Sequence, residues 1–378
     1  MREASTGLLV ELDPESNVTD LLLEQHTKDP VHALYSRKGA GGWTDVSVQQ
    51  FLDQVTGLAK GLIAGGLTPG ETVAVMSATR YEWTVVDFAI WFAGGVTVPI
   101  YETSSASQVE WILHDSAARR VFVEDHAKAA LVQGVLDTST VLGDRIIAVV
   151  RMEHDGAAPN LASLAAAGTG VTDAELERHR TAASLADVAS LVYTSGTTGK
   201  PKGCEITHAN FALVAKNIVL FLPEILMQPR SRTLMFLPLA HVLARAVQVV
   251  CLSAGTTLGH TASAKELLAD LASFQPTFLL VVPRIFEKVH AGAAHKAAAA
   301  GKERVFTAAA AAAIDYSKAL DAASRGNGKG PGLLLRARHG LFDRLFYPKL
   351  RQTFGGQLRY TVSGASPLSS NDAHFFRG

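Results

Sequence analysis

The stretch Thr194-Ser195-Gly196-Thr197-Thr198-Gly199-Lys200-Pro201-Lys202-Gly203 decides how this chain is read. An apolar, strand-like run, Ala189-Ser190-Leu191-Val192-Tyr193, leads into it, and just beyond it Thr207-His208-Ala209-Asn210 has the form of a helix opening. Glycines let successive backbone N–H groups turn toward one anion, the serine and threonine hydroxyls add donors, and two lysines supply positive charge. That composition suits polyphosphate. A Walker A loop needs Gly-x-x-x-x-Gly-Lys-Ser/Thr running straight into a helix. Here Gly196 and Gly199 are too close together, and Pro201 removes a donor and restricts Lys200 before it. A kinase or NTPase built on that loop is therefore disfavoured. A plain Gly/Ser/Thr linker has a similar composition, but this loop is short, follows directly on a strand pattern and ends in the stiff run Lys-Pro-Lys-Gly.

Outward from the loop, short apolar runs at 71–76, 95–100, 121–123, 146–150, 233–237, 278–282 and 357–362 read as strands. Residues 82–92, and other stretches between these runs, read as helices. Strands alternating with helices predict an α/β fold of layered, mostly parallel sheets. With 378 residues and 48% hydrophobic content, the chain can bury one large core or two packed subdomains. A polar loop at 155–159 and a weakly patterned region at 168–184 mark a candidate subdomain seam at 155–184. Alanine runs interleaved with Lys, Glu and Arg over 291–323 predict a pair of exposed helices, since 308–313 offers no broad face of large apolar groups. Residues 324–332, rich in Gly, Pro and Lys, read as a mobile loop.

Composition excludes several classes. With 35 basic and 35 acidic residues the net charge is zero, so no general attraction to nucleic acid is expected. Cys204 and Cys251 are too few for a disulfide framework or a zinc site. The N-terminal MREASTGLLVELDPESN places acidic residues and a proline where a signal peptide needs a sustained apolar core, which points to a cytoplasmic protein. The most apolar stretch, 85–100, contains Asp87 and the Gly94-Gly95 break, and reads as a helix followed by a buried strand instead of a membrane span.

YTSGTTGKPKG, residues 193–203, resembles the signature of the AMP-forming acyl-CoA synthetases within the adenylate-forming enzyme superfamily. Three further segments are similar to that family in the same order: WFAGGVTVPIYETSSASQVEWILHDS (91–116), FLPLAHVLAR (236–245) and FGGQLRYTVSGASPL (354–368). With VPRIFEKV (282–289) they point to the long-chain fatty-acid branch, and the resemblance spans nearly the whole chain. It implies the large N-terminal AMP-binding domain of that superfamily over residues 1–378. The implied activity is ATP-dependent conversion of a long-chain fatty acid through acyl-AMP to acyl-CoA, with Mg2+ as metal and CoA as co-substrate. It also suggests a cytoplasmic location, with a candidate peripheral contact at the inner membrane face. The alanine-rich helices would be either a surface insertion near an acyl entry or membrane contact, or solvated structural helices. Nothing in the sequence indicates an oligomeric state.

By the same resemblance Thr194, Ser195, Gly196, Thr197, Thr198, Gly199 and Lys202 would hold the phosphates, with Thr194 also near the adenylate phosphate or the magnesium. Lys200 reads as a solvated loop residue. Ser363-Gly364-Ala365-Ser366-Pro367 on its own is an ordinary tight turn; the resemblance makes it a contact for adenine and the acyl end. Asn371-Asp372 beyond it reads as the polar start of a helix. His241, in an apolar setting, is on residue type alone a hydrogen-bonded core histidine; the Pro-x-x-His pattern places it beside the reacting carboxylate or the acyl tunnel. Arg245, four residues on, could share its helix face. The other twelve histidines show no metal-ligand spacing, and His114, His208 and His260 read as structural or surface residues. Members of this family continue with a magnesium glutamate, a ribose aspartate and a C-terminal lobe carrying the adenylation lysine, none of which is found here. The expectation is an N-terminal domain incomplete at its C-terminus and defective in acyl-CoA formation, or a non-catalytic nucleotide or acyl binder.

Overall fold

The computed structural model describes residues 7, 9–143, 147–153, 159–194, 199–262, 265–364 and 366–378. The chain forms two compact units, residues 1–231 with 235–264 and residues 232–234 with 265–378. In chain order the strands are β1 (Ala33–Gly39), β2 (Gly42–Ser47), β3 (Thr72–Met76), β4 (Val96–Ile100), β5 (Arg120–Val123) and β6 (Ala148–Arg151). There follow β7 (Val188–Thr194), β8 (Lys202–Thr207), β9 (Arg232–Met235), β10 (Thr257–His260), β11 (Phe278–Val281) and β12 (Tyr360–Ser363).

In the first unit a six-stranded sheet runs β6-β5-β3-β4-β7-β8. Its neighbours are parallel except for β8, which is antiparallel to β7. The central β4 is buried along its whole length, as expected of a parallel strand covered on both faces. On one face Met76, Val98, Ile100 and Val123 pack with Val109, Ile112 and Leu113 of the helix Ala106–Asp115 and Val132 of the helix His126–Thr138. The helix Tyr81–Phe92 has almost no polar side and is correspondingly buried all round. A second sheet places β1 antiparallel to β2 and parallel to β10. The stretch 159–184, where the sequence suggests a seam, belongs to this first unit. There Asn17 Nδ2 donates to the carbonyls of Arg180 and Ala183, each at 2.9 Å.

One element was not legible in advance. The signature loop does not pass directly to the helix His208–Phe221; Lys202–Thr207 first returns as β8, an exposed edge strand. The loop is thus the tip of a β7–β8 hairpin, with Thr194 paired to Lys202 and Tyr193 to Gly203. The helix then opens as expected, Thr207 and Asn210 forming a capping box.

In the second unit β11 and β12 pair in parallel, from Phe278 opposite Tyr360 to Val281 opposite Ser363. The alanine-rich segment does form two helices, Pro283–Ala299 and Glu303–Ser324, broken at Gly301, whose φ of +66° suits glycine. Its exposure is corrected by the structure. Ala309, Ala312 and Ala313 are at most 1% exposed, because small side chains let neighbours approach the helix closely. Phe306, Tyr347 and Phe375 fill that face, and Tyr347 Oη donates to the Ala309 carbonyl at 2.9 Å. Two helices not foreseen, Leu333–Leu345 and Tyr347–Thr353, follow. A last helix, Ser370–Arg377, carries Asn371 and Asp372 in its first turn, capped by Ser369.

Candidate functional site

A cavity of about 490 Å³ opens in the first unit at the C-terminal ends of β4 and β7. Its walls come from three parts of the sequence: 99–112, with Pro99 in β4, Tyr101 just after it and Gln108 and Ile112 on the helix Ala106–Asp115; 192–201, with Tyr193 and Thr194 at the end of β7; and 241–242. Pro201 and His241 complete it. This is where an open parallel sheet places ligands, outside the carboxyl ends of its strands, and the volume lies in the ~300–1,000 Å³ range usual for small-molecule sites.

The hairpin register puts Thr194 and Lys202 directly opposite each other. Their side chains therefore leave the same face of the two strands, within reach of one anion. Both are exposed. Ser195, Gly196, Thr197 and Thr198 lie outside the described residues. Gly199 has φ +140°, a conformation that L side chains rarely adopt, with open space around it. At Gly203 a Cβ would come within 3.2 Å of the Tyr193 ring, so any larger residue there would have to displace that ring by a few tenths of an ångström.

His241 is not a core residue. It is exposed at the N-cap of the helix Val242–Ala254, where its Nδ1 accepts from the Leu243 N–H at 3.2 Å. An imidazole that accepts at Nδ1 carries its proton on Nε2 when neutral. One ring nitrogen is thus spent on the helix, and the other remains a donor.

Arg245 does not share the surface of His241. It is 0% exposed, as is its partner Asp87. Arg245 Nη2 lies 2.6 Å from Asp87 Oδ1 and Nε 3.1 Å from Oδ2, a two-pronged pair. Nη1 donates to Ser190 Oγ at 2.5 Å, and Thr97 Oγ1 donates to Asp87 Oδ1 at 2.7 Å. Burial pushes the Asp87 carboxyl up, and Arg245 and Thr97 pull it back. Trp83, Trp91 and Phe211 surround the guanidinium, with ring centroids 5.1–5.4 Å away. This pair ties the helix of His241 to β7, four residues before Thr194, and to β4, two residues before Pro99.

The helix Ala106–Asp115 also grips the hairpin, through residues the sequence reading did not single out. Tyr193 Oη donates to Asp115 Oδ2 at 2.7 Å, and burial followed by the Asp115 carboxylate raises the tyrosine pKa. Trp111 Nε1 donates to the Pro201 carbonyl at 2.8 Å. Lys200, read as merely solvated, is exposed, yet its Nζ sits 4.1 Å from the centroid of the Trp111 ring. The only advance signal was the four-residue spacing of Trp111 and Asp115.

In the second unit Ser363 ends β12, and the Gly364 N–H donates to the Val281 carbonyl at 3.2 Å. No described atom lies within 4 Å of where a Gly364 Cβ would stand, so its backbone face is open. Ser366 and Pro367 are exposed; Ala365 lies outside the described residues. Among the described residues no group of three His, Cys, Asp or Glu side chains is placed to hold a metal. His208 and His260 are buried, and burial lowers each to about 4.

A family model described as AMP-binding enzyme matches residues 23–378. The chain belongs to this family. As an AMP-binding protein it is 44% identical over 379 residues to long-chain-fatty-acid–CoA ligase FadD15 of Mycobacterium tuberculosis, covering 100% of this chain and 61% of that protein. Human long-chain-fatty-acid–CoA ligase 1 is 27% identical over 363 residues, covering 91% of this chain and 49% of its own length. Among solved structures, the N-terminal domain of FACL13 from Mycobacterium tuberculosis superposes with a TM-score of 0.63 at 18% identity, covering 95% of this chain and 72% of that one. The luciferase-like enzyme of the mealworm Zophobas morio gives 0.64 at 14% identity, covering 97% and 70%. These likenesses agree with the mixed α/β architecture of the AMP-binding protein described above. The chain spans 61% of the length of the FadD15 protein it matches.

Proposed function

We propose that this chain supplies the site at which an ATP-dependent long-chain fatty-acid–CoA ligase forms acyl-AMP. The observation that carries the reading is the cavity that joins Thr194, at the mouth of the phosphate-type loop, to His241 from a segment 47 positions further on. In the proposed step a fatty carboxylate oxygen bonds to the α-phosphorus of ATP while the bond to the bridging oxygen breaks and pyrophosphate leaves. Thr194 and Lys202, with Ser195, Gly196, Thr197, Thr198 and Gly199, hold the phosphates and stabilise the charge that grows on the leaving group. The Nε2–H of His241 donates to the reacting carboxylate or to an α-phosphate oxygen. The apolar Pro99, Ile112 and Val242 of the wall suit the first carbons of the acyl chain. Ser363, Gly364, Ala365, Ser366 and Pro367 contribute to the adenine and acyl contacts, and CoA is the acceptor of the acyl group.

The Thr194 hydroxyl is a hard oxygen of the kind Mg2+ takes, and among the described residues no carboxylate lines the cavity. That donor set fits a Mg2+ held mainly by phosphate oxygens and water, with Thr194 as its protein ligand; when bound, the ion would neutralise phosphate charge. For location, we place the protein in the cytoplasm with a peripheral membrane contact. No described helix is long and apolar enough to cross a membrane. The helix Leu333–Leu345 nevertheless exposes Leu333, Leu334, Leu341 and Leu345 beside Arg336, Arg338 and Arg344, the pairing that favours an anionic lipid surface.

The test is to incubate the protein with ATP, Mg2+ and saturated fatty acids of increasing length, and to measure acyl-AMP, pyrophosphate and AMP. Acyl-AMP should form, with affinity rising up to about fourfold per added methylene until the apolar site is filled. Release of ADP would refute adenylation. A preference for acetate or an aryl acid would refute the long-chain assignment. Nucleotide binding with no acyl-AMP would make the chain a non-catalytic binder.

A further inference from the structure

The helix Ala106–Asp115 meets the signature loop at both of its ends. Where β7 leaves the sheet, Tyr193 is tied to Asp115; where the chain returns, Trp111 holds Pro201 through its indole N–H and Lys200 through its ring face. Trp111 and Asp115 are four residues apart and so share one face of that helix. The helix is itself fixed, by a Ser105–Gln108 capping box at its start and by Val109, Ile112 and Leu113 in the core. Proline has no N–H of its own, so the only backbone hydrogen-bonding group of residue 201 is the carbonyl that Trp111 holds, and the peptide carrying that carbonyl leads directly into Lys202.

We propose that Trp111 is a positioning residue for the phosphate loop: it holds Lys200 on its ring and fixes the Pro201 peptide, so that Lys202, opposite Thr194, is the cation presented to the phosphates. The two lysines are two residues apart and otherwise equivalent in charge. What separates them is that one ammonium lies over an indole face, a favourable resting place for a cation, and the other stands at the hairpin neck in register with a cavity residue. The phosphate role of Lys202 rests on the proposed function; the grip of Trp111 on the loop does not.

Two substitutions divide the contact. Trp111→Phe keeps a ring for Lys200 and loses the hydrogen bond to Pro201; Trp111→Leu loses both. Hydrogen exchange of the amides of Gly199, Lys200, Lys202 and Gly203, without nucleotide, reads the grip directly. It should quicken in Trp111→Phe and further in Trp111→Leu, and by more than at the amides of β3 and β4, which read any general loss of stability from the core packing of Trp111. Binding of MgATP and of inorganic pyrophosphate reads the consequence. The dissociation constants should rise roughly 2- to 10-fold in Trp111→Phe and roughly 5- to 50-fold in Trp111→Leu, the scale of one hydrogen bond with and without a cation–ring contact. Lys200→Met loses the cation–ring contact alone and should raise both constants by about 2- to 5-fold. Unchanged exchange at 199–203 in Trp111→Leu would overturn the proposal, as would a larger loss of affinity in Lys200→Met than in Lys202→Met. Faster exchange in the Trp111 variants of a parent protein that binds neither MgATP nor pyrophosphate would instead uphold the grip and refute the phosphate reading.

Discussion

Replacing Arg245 by methionine removes the only charge that Asp87 faces at bonding distance among the described residues, while keeping most of the side-chain volume. Both groups are completely buried, and the pair shares hydrogen bonds with Ser190 and Thr97. The carboxylate would then sit uncompensated in an interior walled by Trp83, Trp91 and Phe211. Removing one member of such a pair costs about 3–5 kcal/mol, most of it from the buried charge left behind. For a unit of this size that lowers the melting temperature by on the order of 10 °C. The same reasoning makes the second change restorative. Asp87→Leu combined with Arg245→Met leaves no charge behind and should recover most of the loss, because a buried pair and an apolar replacement of similar volume are often close in stability. Urea denaturation of parent, two single variants and the double variant gives the coupling directly. If Arg245→Met unfolds at the parent's midpoint, or the double variant is no better than the worse single one, the pair is not what joins these elements. Because Arg245 stands one turn from His241, and Ser190 one side of β7 from Thr194, acyl-AMP formation should fall more in Arg245→Met than in the double variant.

Three further outcomes are expected. Lys202→Ala should lower fatty-acid-dependent ATP–pyrophosphate exchange about 100-fold or more, the scale of removing a preorganised donor from a developing charge; near-normal exchange would remove Lys202 from the site. His208 and His260 are held by burial at about 4, below their unfolded value, so acid protonates the unfolded chain first. Their stability is complete above about pH 6.5 and is lost as pH falls toward 4, by up to about 1.4 kcal/mol per pH unit for each histidine; a urea midpoint that is flat between pH 7 and 5, or a slope unaltered by His260→Gln, would refute this. Finally, the Leu333→Ser, Leu334→Ser double variant should bind anionic vesicles at least about tenfold more weakly than the parent, since two exposed leucines are lost from the contact; equal binding would exclude this helix as the membrane face.

The layered α/β fold could be read from the sequence because its strands are continuous apolar runs and its helices lie between them. The strand read at 71–76 is Thr72–Met76, and the one read at 95–100 is Val96–Ile100. β8 could not be read in the same way. An edge strand exposed along Lys202–Glu205 has neither an apolar run nor an alternation to announce it. The alanine-rich helix misled for a related reason. Burial was judged by large apolar side chains, whereas Ala309 and Ala313 are buried because they are small enough to let Tyr347 and Phe375 close over the backbone.

The site divides along the same line between neighbouring and distant residues. The loop at 194–203 was legible because its donors and charges are consecutive. The direction of His241 was not, since an N-cap and a core position differ by the backbone angle of one residue, and only the structure shows its Nδ1 bonded to Leu243. The Asp87–Arg245 pair spans 158 positions, yet it left a trace. Each residue is the sole charge within its apolar helix, Tyr81–Phe92 beyond Glu82 in the first turn and Val242–Ala254 throughout. A lone charge in a helix that must be buried is costly unless neutralised. Two such charges of opposite sign in one chain are therefore most economically satisfied by each other, and the elements that carry them must be neighbours. Taken as a constraint, that pairing brings the helix of His241 against β4 and β7, which is what assembles the cavity.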